Sequence, residues 1–114
     1  MQTIKQSRVN LNLTILFLQD HEYWVAQCLE YDVTAQGKSI EEAKLAFERT
    51  FVGQVLLDAS QGKEPLAGIG QAPREYFEQF KKAQRLAEPM LFYVPQASPN
   101  IFVNAKAEDL AVYA

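Results

Sequence analysis

The sequence predicts an α+β fold in which a three-stranded antiparallel meander packs on one long helix. Two observations carry this prediction. Apolar residues recur at every second position over 9–18, and an aromatic and β-branched segment follows at 23–29, as in β-strands. A helix-capping pattern at Ser39 then opens an apolar stripe with helical spacing. Residues 62–114 are predicted to form a C-terminal extension with a second helix and short strands.

The first strand is predicted over residues 9–18, VNLNLTILFL. Its first half alternates apolar with polar residues, so the apolar ones would share one face of a sheet. These residues are Val9, Leu11, Leu13 and Ile15. The last four residues are apolar on both faces, which predicts deeper burial at that end. Residues 19–22 are polar and are predicted to form the hairpin turn.

Two further strands complete the predicted meander. Residues 23–29 form the returning strand, 30–32 a bend, and 33–36 a short third strand that Gly37 ends. One face of the returning strand would carry Trp24, Ala26 and Cys28. Tight links between the three strands predict antiparallel neighbours.

A long helix is predicted from Ile40 to Ser60, with Gly62 ending it. Ser39 and Glu42 have the three-residue spacing of a capping box, in which each residue satisfies a free backbone N–H of the first turn. One apolar stripe faces the sheet at i, i+3 and i+4 spacing. Its members are Ile40, Ala43, Phe47, Phe51 and Val55.

A second apolar stripe lies on the same helix, formed by Val52, Leu56 and Ala59. One sheet face cannot cover both stripes, so either the C-terminal segment or a partner subunit is expected to cover the second one. We therefore expect a homodimer, and Val52 and Leu56 are candidate binding residues.

The C-terminal half is predicted to hold shorter elements. Residues 61–72 contain three of the five glycines and are predicted to be a loop, and 73–86 a second helix that begins at a proline. The apolar runs 90–94, 101–103 and 110–113 are predicted to be short strands.

Length, charge and cysteine content limit the class of protein. A chain of 114 residues is expected to form one domain. The net charge of −3 argues against nucleic acid as a partner, since phosphate binding needs a basic surplus. The N-terminal residues lack the apolar core of a signal peptide, and no apolar run could span a bilayer. We therefore expect a cytoplasmic protein that does not bind membranes.

Few residues suggest catalysis. The first strand has no Asp or Glu, whereas two-metal nucleases need converging carboxylates. Cys28, the one cysteine, is expected to be a buried structural thiol. The one local gathering of metal-capable side chains suits a polar turn and bend better than a metal site. It comprises Asp20, His21, Glu22, Glu30 and Asp32. No catalytic residue, metal or cofactor is predicted.

Trp24 and Tyr31 are the aromatic candidates for an exposed binding surface, because they are expected to flank the sheet edge and the bend. The alternative is that both belong to the core, as most large aromatic residues do.

The first half of the chain resembles the HicB-like antitoxin domain. The resemblance covers residues 9–61 and rests on an aromatic-rich hairpin, Gln36-Gly37, and the helix start Ser39-Ile40-Glu41-Glu42-Ala43. It implies a β-β-β-α-β unit similar to a reduced ribonuclease H core. It also implies dimerisation and binding of a small ribonuclease toxin.

The function predicted from the sequence is that of a non-catalytic HicB-like binding protein, with a small toxin as its protein partner. The tail from Gly62 shows one amphipathic helix, whereas DNA-binding modules of that family need a pair. Two alternatives remain open. One is a DNA-binding regulator that uses the helix at 73–86, and the other is a small-molecule or metal-binding protein with its site in 20–32.

Overall fold

The computed structural model describes residues 7–96 and 98–113, which form an α+β fold with one mixed six-stranded sheet and two helices. The elements are β1 (Ser7–Asp20), β2 (Tyr23–Cys28), β3 (Thr34–Gly37), α1 (Ile40–Ser60), α2 (Arg74–Lys82), β4 (Gln84–Leu86), β5 (Met90–Phe92) and β6 (Ile101–Tyr113). Neither helix in this part of the chain is long and apolar enough to cross a membrane.

The strand order is β3-β2-β1-β6-β4, and β5 also pairs with β6. The predicted meander is confirmed, because β2 pairs antiparallel with both β1 and β3. β6 runs parallel to β1 along residues 7–18 of β1. The C-terminal half of the chain therefore supplies a central strand of the sheet.

The prediction of two short strands at 101–103 and 110–113 is wrong, since β6 is one continuous strand. A bulge explains the discrepancy. Glu108 has no partner in the ladder, because its neighbours Ala107 and Asp109 pair with consecutive residues of β1. Two polar residues in succession break the period-two pattern in the sequence, although the strand itself continues.

The main core lies between α1 and one face of the sheet. Three aromatic rings pack together at its centre. Phe47 and Phe51 are stacked with centroids 5.8 Å apart, and Phe92 is tilted against Phe51 at 5.4 Å. The predicted α1 stripe is confirmed, with Ile40 half-buried at its start. The buried residues of α1 are Ala43, Phe47, Phe51, Val55 and Ala59. Ala59 therefore belongs to this stripe and not to the second one.

A smaller core lies on the opposite face, where α2 packs. Leu16 and Leu29 from the meander meet Ala111 of β6 and Phe80 of α2 there. The deeper burial predicted for residues 15–18 is confirmed, because both faces of β1 are covered there and Ile15, Leu16 and Phe17 are fully buried.

α2 ends at Lys82, so the predicted helix over 73–86 is wrong in its last four residues. Pro73 is the N-cap and not the first helical residue. The chain leaves the helix because Leu86 packs in the main core, whereas Phe80 packs in the smaller core on the other face. A continued helix would hold both side chains on one side of the sheet, so the chain changes to strand β4 instead.

Local capping sets the start of α1. The Ser39 hydroxyl accepts a hydrogen bond from the Glu42 N–H at 3.1 Å, and the Glu42 carboxylate accepts one from the Lys38 N–H at 2.7 Å. A Cβ at Gly37 would lie 2.6 Å from the backbone nitrogen of Ala43, which is closer than real Cβ atoms come. Only glycine therefore lets β3 end directly against the helix.

The end of α1 is a Schellman motif centred on Gly62, as the sequence predicts. The Gly62 N–H donates to the Ala59 carbonyl at 3.1 Å and the Lys63 N–H to the Asp58 carbonyl at 2.9 Å, with φ of Gly62 at 71°. The Asp58 carboxylate then accepts from the N–H of Leu66, 2.8 Å away. This bond holds the fully buried Leu66 at a φ of 65°.

Candidate binding groove

An open groove of about 390 Å³ lies between the outer surface of α1 and the segment that follows β5. The helix contributes residues from three consecutive turns to it, and the segment contributes a tyrosine and a proline. The lining residues are Glu48, Arg49, Val52, Gly53, Leu56, Tyr93 and Pro95. We call this feature the α1 groove.

The groove exists because the sheet covers only one stripe of α1. Val52 is half-buried and packs against the edge of the main core, and Leu56 is half-buried beside it. The segment that contains Tyr93 and Pro95 lies alongside both residues. The second apolar stripe predicted from the sequence is thus covered in part by the C-terminal half of the chain.

Tyr93 is the most exposed large apolar side chain that the structure describes, with 80% of its surface accessible. Its neighbour Phe92 is 9% exposed and fills the main core. β5 ends at Phe92, so the chain leaves the sheet at that point and places the tyrosine beside α1. An exposed tyrosine next to aliphatic residues is typical of protein-binding surfaces.

Gly53 lies in the middle of α1, where glycine is less favourable than alanine by about 1 kcal/mol. A Cβ at this position would meet nothing within 4 Å. No contact within the described chain therefore requires a glycine here.

Charged residues occupy the N-terminal end of the groove. Glu48 and Arg49 precede Val52 by one turn of the helix, so a carboxylate and a guanidinium adjoin the apolar part. The groove thus offers an apolar floor with polar groups at one end, which is the usual composition of a binding surface with a polar rim.

The four binding residues predicted from the sequence are divided between two places. Val52 and Leu56 meet in the α1 groove. Trp24 and Tyr31 do not line it, but are half-buried and pack against the main core. This packing supports the core alternative for the two aromatic residues, and burial raises the pKa of the Tyr31 hydroxyl.

Sequence analysis missed Tyr93, Gly53 and Pro95. The run 90–94 has apolar residues on both faces, which is compatible with a buried strand and gives no indication that its tyrosine is exposed. Gly53 offered a clue, since an isolated glycine inside a strong helical pattern needs a packing or functional reason.

The carboxylates grouped in the sequence are separated in the structure. Asp20, His21 and Glu22 lie at the hairpin tip, while Glu30 and Asp32 lie beyond the other end of β2, about 20 Å away for a six-residue strand. Within residues 7–96 and 98–113, no group of three or more His, Cys, Asp or Glu side chains is placed to hold a metal ion.

The two carboxylates that follow β2, those of Glu30 and Asp32, both accept hydrogen bonds from neighbouring residues. Glu30 accepts hydrogen bonds from the N–H and the hydroxyl of Thr14, each at 2.7 Å. Asp32 accepts one from the Gln27 amide at 3.0 Å. The Glu30 contacts hold the bend after β2 against the middle of β1, and the Asp32 contact holds it against β2 itself.

Cys28 is fully buried, as predicted. Burial raises the pKa of its thiol to about 12, and the carboxylate of Glu30, 3.8 Å from the sulfur, adds to the effect. The thiolate is the nucleophilic form, so this thiol is unreactive in the folded protein at neutral pH.

Two basic residues at or beyond the end of α2 contact neighbouring side chains. Lys81 lies 3.4 Å from the carboxylate of Glu78, and the Arg85 guanidinium stacks 3.7 Å from the centre of the Phe80 ring. Lys81 belongs to α2 and Arg85 to β4, so the two residues lie on different elements.

Comparison with known proteins gives no family for the chain. No family model matches it, and neither a curated protein nor a solved structure was found to match. The resemblance of residues 9–61 to the HicB-like domain therefore stays a prediction from the sequence.

Proposed function

We propose that the protein is a non-catalytic HicB-like binding protein that holds a protein partner in the α1 groove. Gly53 is the observation that carries this proposal. The helix is less stable with glycine at this position, and nothing in the described chain approaches it. Close approach of a partner to the helix backbone gives a physical reason for the missing side chain.

The residues that line the groove indicate which side chains a partner would place in it. An aliphatic or aromatic side chain would fit between Tyr93 and the pair Val52 and Leu56, where both sides of the contact lose water. Glu48 at the end of the groove suits a basic residue beside that side chain. The net charge of −3 favours association with a basic protein.

A small ribonuclease toxin is the partner class that we propose, in line with the sequence resemblance. The order of elements supports it, since three antiparallel strands precede α1 and the final strand returns against β1. That order is compatible with the β-β-β-α-β unit that the resemblance implies, with α2, β4 and β5 inserted before the final strand. The protein would then act as an antitoxin by occupying the toxin's surface.

Affinity capture from the host cell with identification by mass spectrometry tests the proposal. The wild-type protein is expected to recover a small basic protein in stoichiometric amount. Leu56→Glu is expected to lose it, because a carboxylate would enter the apolar part of the groove. Leu57→Glu is the matched control, since Leu57 is the next residue of α1, is 50% exposed and does not line the groove.

Two results would contradict the proposal. Equal recovery by both variants would place the partner elsewhere, and recovery of no partner by the wild type would remove the binding role. The captured protein is then assayed for cleavage of RNA with and without added wild-type protein. Absence of inhibitable ribonuclease activity would refute the antitoxin role while leaving the groove as a binding site.

A further inference from the structure

The N-terminal half of β1 has a free edge. β2 pairs with β1 only along residues 15–20, whereas β6 pairs on the other side along residues 7–18. Within the described residues, 7–13 therefore has a strand neighbour on one side only. We call this segment the β1 edge.

Three residues direct their backbone groups outward from the β1 edge. Thr14 faces the β2 side, where its N–H meets Glu30 at 2.7 Å and its carbonyl accepts from the Leu29 N–H at 3.0 Å. Backbone groups alternate along a strand, so Arg8, Asn10 and Asn12 face the same side as Thr14. The N–H of Ser7 accordingly points the other way, toward the Asn100 carbonyl at 2.7 Å.

The β1 edge lacks most of the features that keep sheet edges apart. Natural edge strands are usually protected by proline, inward-pointing charges, bulges, a short length or a covering loop. The loop residues 62–65 lie near residues 7–9 across an open pocket, and in the described chain no backbone hydrogen bond joins the two segments. Residues 7–13 are seven in number, contain no proline and no acidic residue, and carry Arg8 as their one charge. The bulge in the ladder to β6 lies at Glu108 and leaves this side of β1 regular.

We propose that the β1 edge pairs antiparallel with the β1 edge of a second copy of this chain, about a two-fold axis at Asn10. In this register Asn10 lies opposite Asn10 of the partner subunit, and Arg8 lies opposite Asn12 of the partner subunit. The three outward-facing residues of each copy then form hydrogen-bonded pairs, with about six backbone hydrogen bonds in all.

The side-chain pattern favours a second copy as the occupant. In this register odd-numbered residues lie opposite odd-numbered residues, and even-numbered residues lie opposite even-numbered ones. The apolar side chains of both copies therefore stay on the α1 face of the sheet, and the asparagines stay on the other face. Apolar residues of the two copies lie side by side on the first face, with Val9 opposite Leu11. The two Arg8 side chains are not opposite each other, so no like charges meet. A two-fold dimer requires such a self-complementary surface.

Substitutions at Asn10 test the proposal because the axis brings this residue against its own copy. Light scattering coupled to size-exclusion chromatography is expected to show a wild-type dimer at micromolar concentration. Asn10→Lys and Asn10→Asp alone are each expected to be monomers, since equal charges would meet at the axis. A mixture of the two variants is expected to recover the dimer, because opposite charges then meet. Circular dichroism checks that each variant is folded.

Asn10→Pro supplies an independent measurement. Proline removes an N–H that points outward, so the ladder to β6 is kept while the pairing of the edges is lost. Asn10→Thr retains the N–H and is expected to remain a dimer. A monomeric wild type, dimers of both charged variants alone, or a mixture that stays monomeric would overturn the proposal. Loss of the dimer with Leu56→Glu and not with Asn10→Lys would place the second copy in the α1 groove.

Discussion

At the scale of the residue, Gly53 links the local energetics of a helix to the proposed function. A glycine in a helix interior is less favourable than alanine, and close approach of another group is one reason to find it there; the described chain provides no such approach. Gly37 shows the opposite case, because the start of α1 lies 2.6 Å from where its Cβ would be. The fold therefore explains Gly37, whereas the proposed partner would explain Gly53.

Gly53→Ala is expected to have effects of opposite sign on stability and binding. The free energy of unfolding should rise by up to about 1 kcal/mol, because alanine favours the helix and meets no neighbour. Affinity for the captured partner should fall, because the added methyl group occupies the floor of the groove. Chemical denaturation and titration calorimetry measure the two quantities.

Gly68→Ala is the control, since a Cβ at this exposed loop glycine also meets nothing within 4 Å. It should leave the affinity for the partner unchanged. If Gly53→Ala binds the partner as tightly as the wild type, no partner contacts that turn of the helix, and the principal support for the groove is lost.

Residues with local signals were predictable from the sequence. Ser39 and Gly62 define both ends of α1, because capping and a left-handed C-terminal residue depend on neighbours close in the chain. The exposure of Tyr93 was not predictable in this way. It depends on where the chain leaves the sheet after β5, and that is set by pairing with β6.

At the scale of the element, β6 shows why one long strand is predicted as two short strands. Its burial alternates over residues 104–107, and Leu110 and Ala111 are both buried, with two exposed polar residues between these segments. The bulge at Glu108 absorbs the extra residue, so the apolar side chains before and after it stay on the α1 face. The sequence pattern of β6 alone cannot reveal the bulge, because the bulge is defined by how β6 pairs with β1.

Two single-residue deletions in β6 test this account. Deleting Glu108 should change the free energy of unfolding little, because it removes the bulge and leaves every remaining partner in register. Deleting Lys106 should be strongly destabilising, because regular alternation would then turn Glu108 toward the main core. Urea denaturation compares the two variants. Equal losses of stability would show that the bulge does not control the register.

The boundary between α2 and β4 is a second feature that the local sequence pattern does not predict. The apolar spacing over 73–86 continues past Lys82, so helical periodicity alone extends the helix. The chain changes to a strand because Leu86 has a place in the core on the other face of the sheet. That core is built largely from residues of α1 and β1, which are far from Leu86 in the sequence, so the segment 73–86 alone cannot reveal it.

At the scale of the whole molecule, the structure presents two surfaces built from different elements. The described chain measures 57 × 24 × 24 Å, and β1 and β6 form its long central pair. The α1 groove is lined by α1 and the segment after β5, whereas the β1 edge belongs to the sheet alone. A dimer formed through the edge would therefore leave the groove open to the proposed partner.

The central claim is that the α1 groove contacts a protein partner, and photo-crosslinking inside the host cell tests it most directly. A benzophenone amino acid replaces Tyr93, which is 80% exposed in the groove, or Leu91, which is 77% exposed and adjoins Asn10 and Lys106 instead. We expect the probe at position 93 to form one adduct with a small basic protein, and the probe at 91 to form none with it. Adducts of equal yield from both positions, no adduct at 93, or an adduct at 93 with a second copy of this chain would contradict the claim.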